Sequence, residues 1–122
     1  MVKIQCLALR SPNPKKLVDF YEKVFGLTFS FFESSPQNCN GWYVAREEDG
    51  GEAILEIHKL NDGETFSPLR FSFKVDSIEE LQLIKNTIRE YRFPKEFTVP
   101  DTSYDESIML NDLDGNHLFV ML

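Results

Sequence analysis

The order of predicted elements repeats once along the chain, and this repeat limits the possible folds more than any other feature. Each half reads as a strand, a helix and three further strands, and each carries an Asp-Gly turn before its last strand, at Asp49-Gly50 and Asp114-Gly115. The two halves are offset by about 65 residues, as in an internally repeated protein. A single four-stranded sheet would expose one face, so the halves are expected to pair and bury it.

The first half begins with an aliphatic stretch at residues 2–10, which predicts a buried strand. Asn13 is predicted to cap a helix whose first position is Pro14, because proline lacks only an N–H that would be unpaired there anyway. Apolar residues then recur with helical spacing, and Gly26 is predicted to end the helix in the left-handed conformation. Three further strands are predicted, at residues 28–33, 41–47 and 52–59.

The second half repeats this order from a strand at residues 69–75, in which Phe71 and Phe73 share one face. Ser77 and Glu80 have the spacing of a capping box at the start of a helix. The apolar stripe of that helix is predicted to consist of Ile78, Leu81, Ile84 (or Lys85) and Ile88. Three strands follow, near residues 95–99, 104–110 and 117–122. The sequence therefore predicts one α+β domain over residues 1–122, built from βαβββ modules at about 1–60 and 67–122.

Composition excludes some classes of partner. Apolar residues make up 42% of the chain and charged residues 27%, which is typical of a globular protein. The net charge of -7 disfavours nucleic acids and anionic membranes, because both require a basic surface. Cys6 and Cys39 form no metal-knuckle spacing, and we find neither a signal peptide nor a membrane-spanning apolar run. These features predict a cytoplasmic protein with free thiols.

Four segments together carry a family resemblance that extends over essentially the whole chain. They are LALRSPNPKKLVDFYEKVFGLTF, AILEI, LRFSFKVDSIEEL and DLDGNHLFVML. The chain resembles the vicinal oxygen chelate superfamily, which includes glyoxalase I, extradiol dioxygenases, fosfomycin-resistance enzymes and bleomycin-resistance proteins. The resemblance implies a cup-shaped mixed sheet, with the helices on its outer face and a metal held inside the cup. It defines the fold better than the activity, because one scaffold hosts many chemistries.

The resemblance places the four metal ligands of the family on Cys6, Glu56, Arg70 and Phe119. Only Glu56 is the residue commonly found at its position, although a cysteine can also bind metals. Arg70 has no lone pair and repels a cation, and Phe119 has no donor atom. A catalytic metal usually takes three protein ligands, so we predict a degenerate site that holds no metal cofactor.

Strand alternation, combined with the resemblance, predicts that six side chains face one cavity and bind the ligand. They are Cys6, Glu56, His58, Arg70, His117 and Phe119. We expect Arg70 to pair with Glu56 in place of a metal. This pair is interpreted either as purely structural or as a means of presenting N–H groups to an anionic ligand, and the structural interpretation is preferred.

Two further hypotheses concern chemistry at the same positions. Cys6 could be a nucleophile activated by His58 or His117, but an inert thiol on a core strand is the simpler interpretation. Glu56 is the best catalytic candidate, as a general base. Aromatic residues on the predicted strands are mostly core, yet one strand face cannot hide both Phe31 and Phe32, so at least one should look into the cup or across a dimer contact. An apolar pocket of this kind favours a flat organic ligand.

The sequence thus predicts a small-molecule binding protein of the glyoxalase/bleomycin-resistance type, with a degenerate metal site and a homodimeric assembly. Two alternatives remain at this stage. One is a metal-dependent lyase or dioxygenase of the same superfamily, and the other is a non-catalytic structural or regulatory dimer.

Overall fold

A computed structural model of the protein describes residues 2, 6–33, 41–47, 51–90, 103–104 and 107–122. The chain divides into two compact units, Met1–Phe66 and Ser67–Leu122, which we call module 1 and module 2. Over these described residues each module has one helix and a four-stranded mixed sheet, so the predicted α+β class with βαβββ modules is confirmed.

Module 1 follows the predicted order of elements. They are β1 (Leu7–Ser11), α1 (Pro14–Phe25), β2 (Phe29–Phe32), β3 (Trp42–Arg46) and β4 (Ala53–Lys59). The sheet has the order β1-β4-β3-β2, with β1 parallel to β4 and the other neighbours antiparallel. The parallel pair requires a crossover connection, which α1 provides. The predicted Asp49-Gly50 turn lies outside the described residues, but the amide of Glu47 donates to the carbonyl of Glu52 beside it (3.0 Å).

Both ends of α1 are formed by the residues that the sequence indicated. The Asn13 side chain accepts a hydrogen bond from the amide of Lys16 at 3.5 Å, and Pro14 takes the first helical position. Gly26 ends the helix with φ 69°, and its N–H donates to the carbonyl of Glu22. The buried face of α1 consists of Leu17, Val18, Phe20, Tyr21 and Val24. Because α1 packs against β1 and β4, it covers the sheet face that carries Leu9 and Ile57, which are 1% and 0% exposed.

Module 2 repeats this arrangement. Its elements are β5 (Arg70–Lys74), α2 (Ile78–Glu90), β6 (Ser103–Tyr104), β7 (Ser107–Asn111) and β8 (His117–Met121). The sheet order β5-β8-β7-β6 matches that of module 1 strand for strand. The strand predicted near residues 95–99 lies outside the described residues. The strand predicted at 104–110 is instead divided, since Tyr104 belongs to β6 and residues from Ser107 onwards form β7.

The capping box of α2 is confirmed, except that Glu80 bonds to the amide one residue before the capping residue Ser77. The hydroxyl of Ser77 accepts from the amide of Glu80 at 3.2 Å, while the carboxylate of Glu80 accepts from the amide of Asp76 at 3.1 Å. Leu81, Ile84 and Ile88 are buried as predicted. Ile78 is 49% exposed, so its predicted place in the apolar stripe is wrong. It is the first residue of the helix, where the buried face has not yet begun.

A buried polar network closes the turn between β7 and β8. Asp112 and Asn116 are each 1% exposed. Both oxygens of the Asp112 carboxylate accept from Asn116, Oδ1 from its backbone N–H (2.9 Å) and Oδ2 from its side-chain Nδ2 (2.8 Å). The side-chain oxygen of Asn116 accepts from the amide of Leu69 (2.8 Å), which ties the turn to the entry of β5. Gly115 supplies the positive φ of 88° that the turn requires.

Candidate ligand-binding site

The candidate site of module 1 is built around the carboxylate of Glu56 on β4. Its Oε1 accepts a hydrogen bond from Nε2 of His58 (2.8 Å), and its Oε2 accepts one from the thiol of Cys6 (3.3 Å). The side chains of Glu56 and His58 are 25% and 27% exposed, so the group lies at the surface of the sheet rather than in the core. Module 1 therefore satisfies both carboxylate oxygens with its own residues.

These contacts shift the acidity of two members of the group. The hydrogen bond from His58 holds the pKa of Glu56 below its ordinary value, against the opposing effect of burial, and the Cys6 bond lowers it further. Burial raises the pKa of the Cys6 thiol, and the hydrogen bond to Glu56 and its negative charge raise it more. The site thus combines a carboxylate that stays ionised with a thiol that stays protonated.

Strand register explains why these side chains meet. Glu56 and His58 are two residues apart on β4, so they point to the same face of the sheet. On the neighbouring strand, Trp42 pairs with His58 in the antiparallel register, and their rings stack at 5.4 Å with an interplanar angle of 13°. The indole therefore flanks the imidazole that holds Glu56.

The aromatic surface continues from Trp42 to the edge of the sheet. Phe32 on β2 pairs with Trp42, with ring centroids 5.5 Å apart, and Phe31 contacts Tyr43 at 5.1 Å on the opposite face. Phe31 and Phe32 are 55% and 51% exposed. Neither ring is buried, and the expectation that at least one of them faces the cup or a dimer contact stays a prediction. We call Phe32, Trp42 and His58 the aromatic row.

The remaining predicted site residues lie in module 2. Arg70 on β5 pairs with His117 on β8, and Ser72 pairs with Phe119 two positions further along. Arg70 and His117 are exposed, and Phe119 is half-buried. Nδ1 of His117 lies 2.7 Å from Oδ1 of Asn111, its cross-strand neighbour. The structure thus brings Cys6, Glu56 and His58 together in one module, and Arg70, His117 and Phe119 onto neighbouring strands of the other. Their convergence on a common cavity stays a prediction.

The donor set does not fit the metal that the resemblance implies. In module 1 the protonated Cys6 thiol donates a hydrogen bond to Glu56, whereas a metal binds the thiolate. At the two ligand positions that the resemblance assigns to module 2, the chain has Arg70 and Phe119, whose guanidinium and phenyl ring offer no lone pair. Among the described residues, no group of three or more His, Cys, Asp or Glu side chains is arranged to hold a metal ion.

Sequence reasoning missed the role of Trp42, which it assigned with the other aromatic residues mostly to the core. The role of Trp42 follows only from the pairing register of β3 and β4, which the sequence does not specify. Strand alternation placed His58 on the same face as Glu56, but which residue of β3 lies opposite His58 depends on the length of the turn between the strands and on a bulge between Ala45 and Arg46.

The repeated mixed sheets and the site on β4 define a protein built from two βαβββ modules. A sequence model described as the Glyoxalase/Bleomycin resistance protein/Dioxygenase superfamily matches residues 3–119. The chain belongs to this superfamily.

Among the described residues, none of the helices has the length and apolar character needed to cross a membrane.

Solved structures share the fold at low sequence identity. A possible glyoxalase from Bacillus cereus is 22% identical, with a TM-score of 0.68 and full coverage of both chains. A glyoxylase/bleomycin resistance protein/dioxygenase domain from Frankia sp. EAN1pec is 13% identical, with a TM-score of 0.71 and coverage of 100% of this chain and 92% of that one. A mutant fosfomycin resistance protein from Listeria monocytogenes, complexed with Mn(II) and a dihydroxypropylphosphonic acid, is 12% identical, with a TM-score of 0.67 and coverage of 98% and 90%. A search of curated protein sequences found no significant match.

Proposed function

We propose that this protein binds a small organic molecule and works without a bound metal. The observation that carries the proposal is that both carboxylate oxygens of Glu56 accept hydrogen bonds, one from Cys6 and one from His58. In the superfamily this carboxylate position commonly serves a metal. Here hydrogen-bond donors from the same module stabilise the negative charge instead, so the carboxylate needs no cation.

The aromatic row supports a flat ligand. Phe32, Trp42 and His58 lie ring against ring beside the ionised carboxylate of Glu56, and Phe32, which is 51% exposed, offers ring surface to a ligand. Small-molecule sites combine apolar and aromatic walls with a few polar groups that orient the ligand, and aromatic rings offer stacking area. A planar organic molecule that stacks on the row and donates a hydrogen bond to Glu56 would use both features. Arg70, His117 and Phe119 are proposed to contribute from module 2.

The enzymatic alternatives gain less support. A general base works best when its pKa lies near the working pH, whereas the contact with His58 lowers the pKa of Glu56. Glu56 is therefore a weak base. The Cys6 thiol, whose pKa is raised, is correspondingly a poor nucleophile.

Metal content tests the proposal directly. We expect elemental analysis of the purified protein, and of protein dialysed against Zn²⁺, Ni²⁺ or Mn²⁺, to show no stoichiometric metal. Restoring the family ligands with Cys6→His, Arg70→His and Phe119→Glu should create measurable Zn²⁺ or Ni²⁺ affinity. One equivalent of metal in the wild type, lost in Glu56→Gln, would contradict the proposal and favour a lyase or dioxygenase.

Ligand titrations test the claim that the protein binds a small organic molecule. Trp42 is the single tryptophan of the chain, so its fluorescence reports on the aromatic row alone. We expect planar heteroaromatic compounds to change this fluorescence in a saturable way, and His58→Ala to weaken the binding. Phe71→Leu, on a strand of module 2, serves as a control for nonspecific effects of removing a ring. A response from no compound in a broad panel would remove the support for a flat ligand.

We also propose a homodimer in the cytoplasm. The dimer is inferred from the family and from the sheet surface that one module alone would expose, and the location from the free-thiol pattern of Cys6 and Cys39. Light scattering coupled to size exclusion should give twice the mass of the 14.2 kDa chain. A monomeric mass across the micromolar range would contradict the dimer while leaving the binding proposal intact.

A further inference from the structure

A second feature of module 1 is a surface pocket of about 210 Å³ between the end of α1 and strands β2 and β3. Its walls include Leu27, Thr28, Ser30, Val44, Arg46 and Glu47. Val44 pairs with Glu56 in the register of β3 and β4, so the pocket borders the same sheet face as the Glu56 group. The pocket is nevertheless formed by different side chains.

Arg46 is the cation among the lining residues, and it lies beside a shift in the register of β3 and β4. Ala45 pairs with Leu55 but Arg46 pairs with Ala53, so Ile54 is an extra residue on β4. Bulges change the aim of neighbouring side chains and are common near functional sites. Nη1 of Arg46 then donates to the carbonyl of Gly51 at 3.0 Å, which holds the guanidinium in place while leaving further N–H groups for another acceptor.

The polar groups of the pocket favour an anion. No described carboxylate forms an ion pair with Arg46 within 4.0 Å, although Glu47 is its chain neighbour. The hydroxyls of Thr28 and Ser30 add two more donors. A guanidinium matches a carboxylate through two parallel hydrogen bonds. Leu27 and Val44 supply apolar surface for the carbon skeleton of a ligand.

The volume limits the size of the occupant. Drug-sized ligands occupy pockets of about 300–1,000 Å³, so this open pocket would hold only part of such a ligand. A compound of about ten non-hydrogen atoms fits this space.

We propose that the pocket beside Arg46 binds the carboxylate of a small organic acid. This inference rests on the proposed small-molecule function and deepens it by naming a ligand class. The carboxylate pairs with the guanidinium, the hydroxyls of Thr28 and Ser30 complete its hydrogen bonds, and the rest of the ligand lies on Val44 toward the Glu56 group.

Benzoate and its neutral isostere benzamide are suitable probes, titrated into ¹⁵N-labelled protein and followed by NMR at low ionic strength. We expect benzoate to shift the amides of Gly26, Leu27 and Ser30 and the side-chain Nε–H of Arg46, and benzamide to bind at least tenfold more weakly. Arg46→Gln should weaken benzoate binding about 10- to 100-fold, the loss typical of a hydrogen bond to a charged group. Arg46→Lys should keep part of the affinity, because it keeps the charge but not the planar fork.

Two further variants sharpen the test. Glu47→Gln should strengthen benzoate binding, because it removes a negative charge from the pocket wall. Arg89→Gln removes an exposed arginine of α2 in module 2 and should leave the affinity unchanged. Thermal melting of each variant checks that the fold is intact.

The outcomes separate the two proposals. Benzoate shifts outside the pocket, or equal affinity for benzoate and benzamide with no effect of Arg46→Gln, would overturn the carboxylate pocket. Saturable binding of flat compounds to the aromatic row would in that case still support the small-molecule function. If neither benzoate nor any flat compound binds, both proposals are wrong.

Discussion

Nε2 of His58 lies 2.8 Å from Oε1 of Glu56, two residues earlier on the same strand. This contact means that the carboxylate is held by its own strand neighbour on the same sheet face. Burying a carboxylate without hydrogen-bond partners is costly. A donor two residues away on the same strand supplies such a partner with little loss of side-chain entropy.

The first prediction concerns stability against pH. The pKa of Glu56 is lower in the folded state than its ordinary value of about 4.3 in an unfolded chain. Its ionisation therefore stabilises the fold fully above about pH 4.3, and this contribution disappears as the pH falls through the lower folded-state pKa. Urea unfolding of the wild type and of Glu56→Gln should show a stability difference that changes over this acid range. Glu79→Gln, which removes an exposed carboxylate of α2, is the control. Parallel curves for wild type and Glu56→Gln would contradict the shifted pKa.

The second prediction concerns the reactivity of Cys6. Burial and the neighbouring carboxylate raise its pKa, and only the thiolate reacts with alkylating reagents. In a Cys39→Ser background, iodoacetamide at pH 8 should modify Cys6 more slowly than free cysteine. Glu56→Gln should accelerate the reaction by removing the negative charge. Mass spectrometry over time measures both rates, and modification of Cys6 faster than free cysteine would revive the nucleophile hypothesis.

The third prediction concerns the turn of module 2. Asn116→Ala removes a donor to the buried Asp112 carboxylate and the acceptor of the Leu69 amide. Each buried polar group that loses its partner costs about 1–3 kcal/mol, so we expect the free energy of unfolding to fall by about 2–4 kcal/mol. Asn111→Ala, which breaks only the exposed contact with His117, should cost less than about 1 kcal/mol. Equal losses for the two variants in urea unfolding would show that the network contributes little.

The fourth prediction concerns Gly41, which directly precedes β3. A Cβ atom at this position would collide with the ring of Phe31 and lie 2.7 Å from the carbonyl oxygen of Phe32. Gly41→Ala should therefore destabilise the protein by about 1–3 kcal/mol, as overpacking does. Adding Phe31→Ala should restore only part of the loss, because the clash with the backbone of Phe32 remains. A Gly41→Ala variant as stable as the wild type would contradict this packing.

Much of the fold could be predicted because its signals are local. Asn13, Pro14 and Gly26 fix the ends of α1 by backbone chemistry that depends on adjacent residues alone. The alternation of β5, with Phe71 and Phe73 more buried than their neighbours, follows from the two-residue period of a strand. Ile78 was misassigned because its position has helical spacing but stands where the helix has just begun.

The candidate site could be predicted only in part, because its contacts join residues that are distant in sequence. Alternation placed Glu56 and His58 on one face, but the thiol contact from Cys6 spans 50 residues and depends on how β1 aligns with β4. The expected partner of Glu56 was Arg70, chosen from the family geometry and the opposite charges, and this pairing stays a prediction. Within module 1 the strand register supplies two donors to Glu56, Cys6 and His58, which charge alone could not identify because a hydrogen bond also requires a position.

The two sheets also bear on how the chain can be rearranged. Every described strand pair joins strands of the same module, and the backbone passes from one sheet to the other through residues 60–69. Extra residues spliced between Thr65 and Phe66 would interrupt none of these ladders, and lengthening a connection costs little free energy. This junction is thus a natural place to insert a reporter peptide.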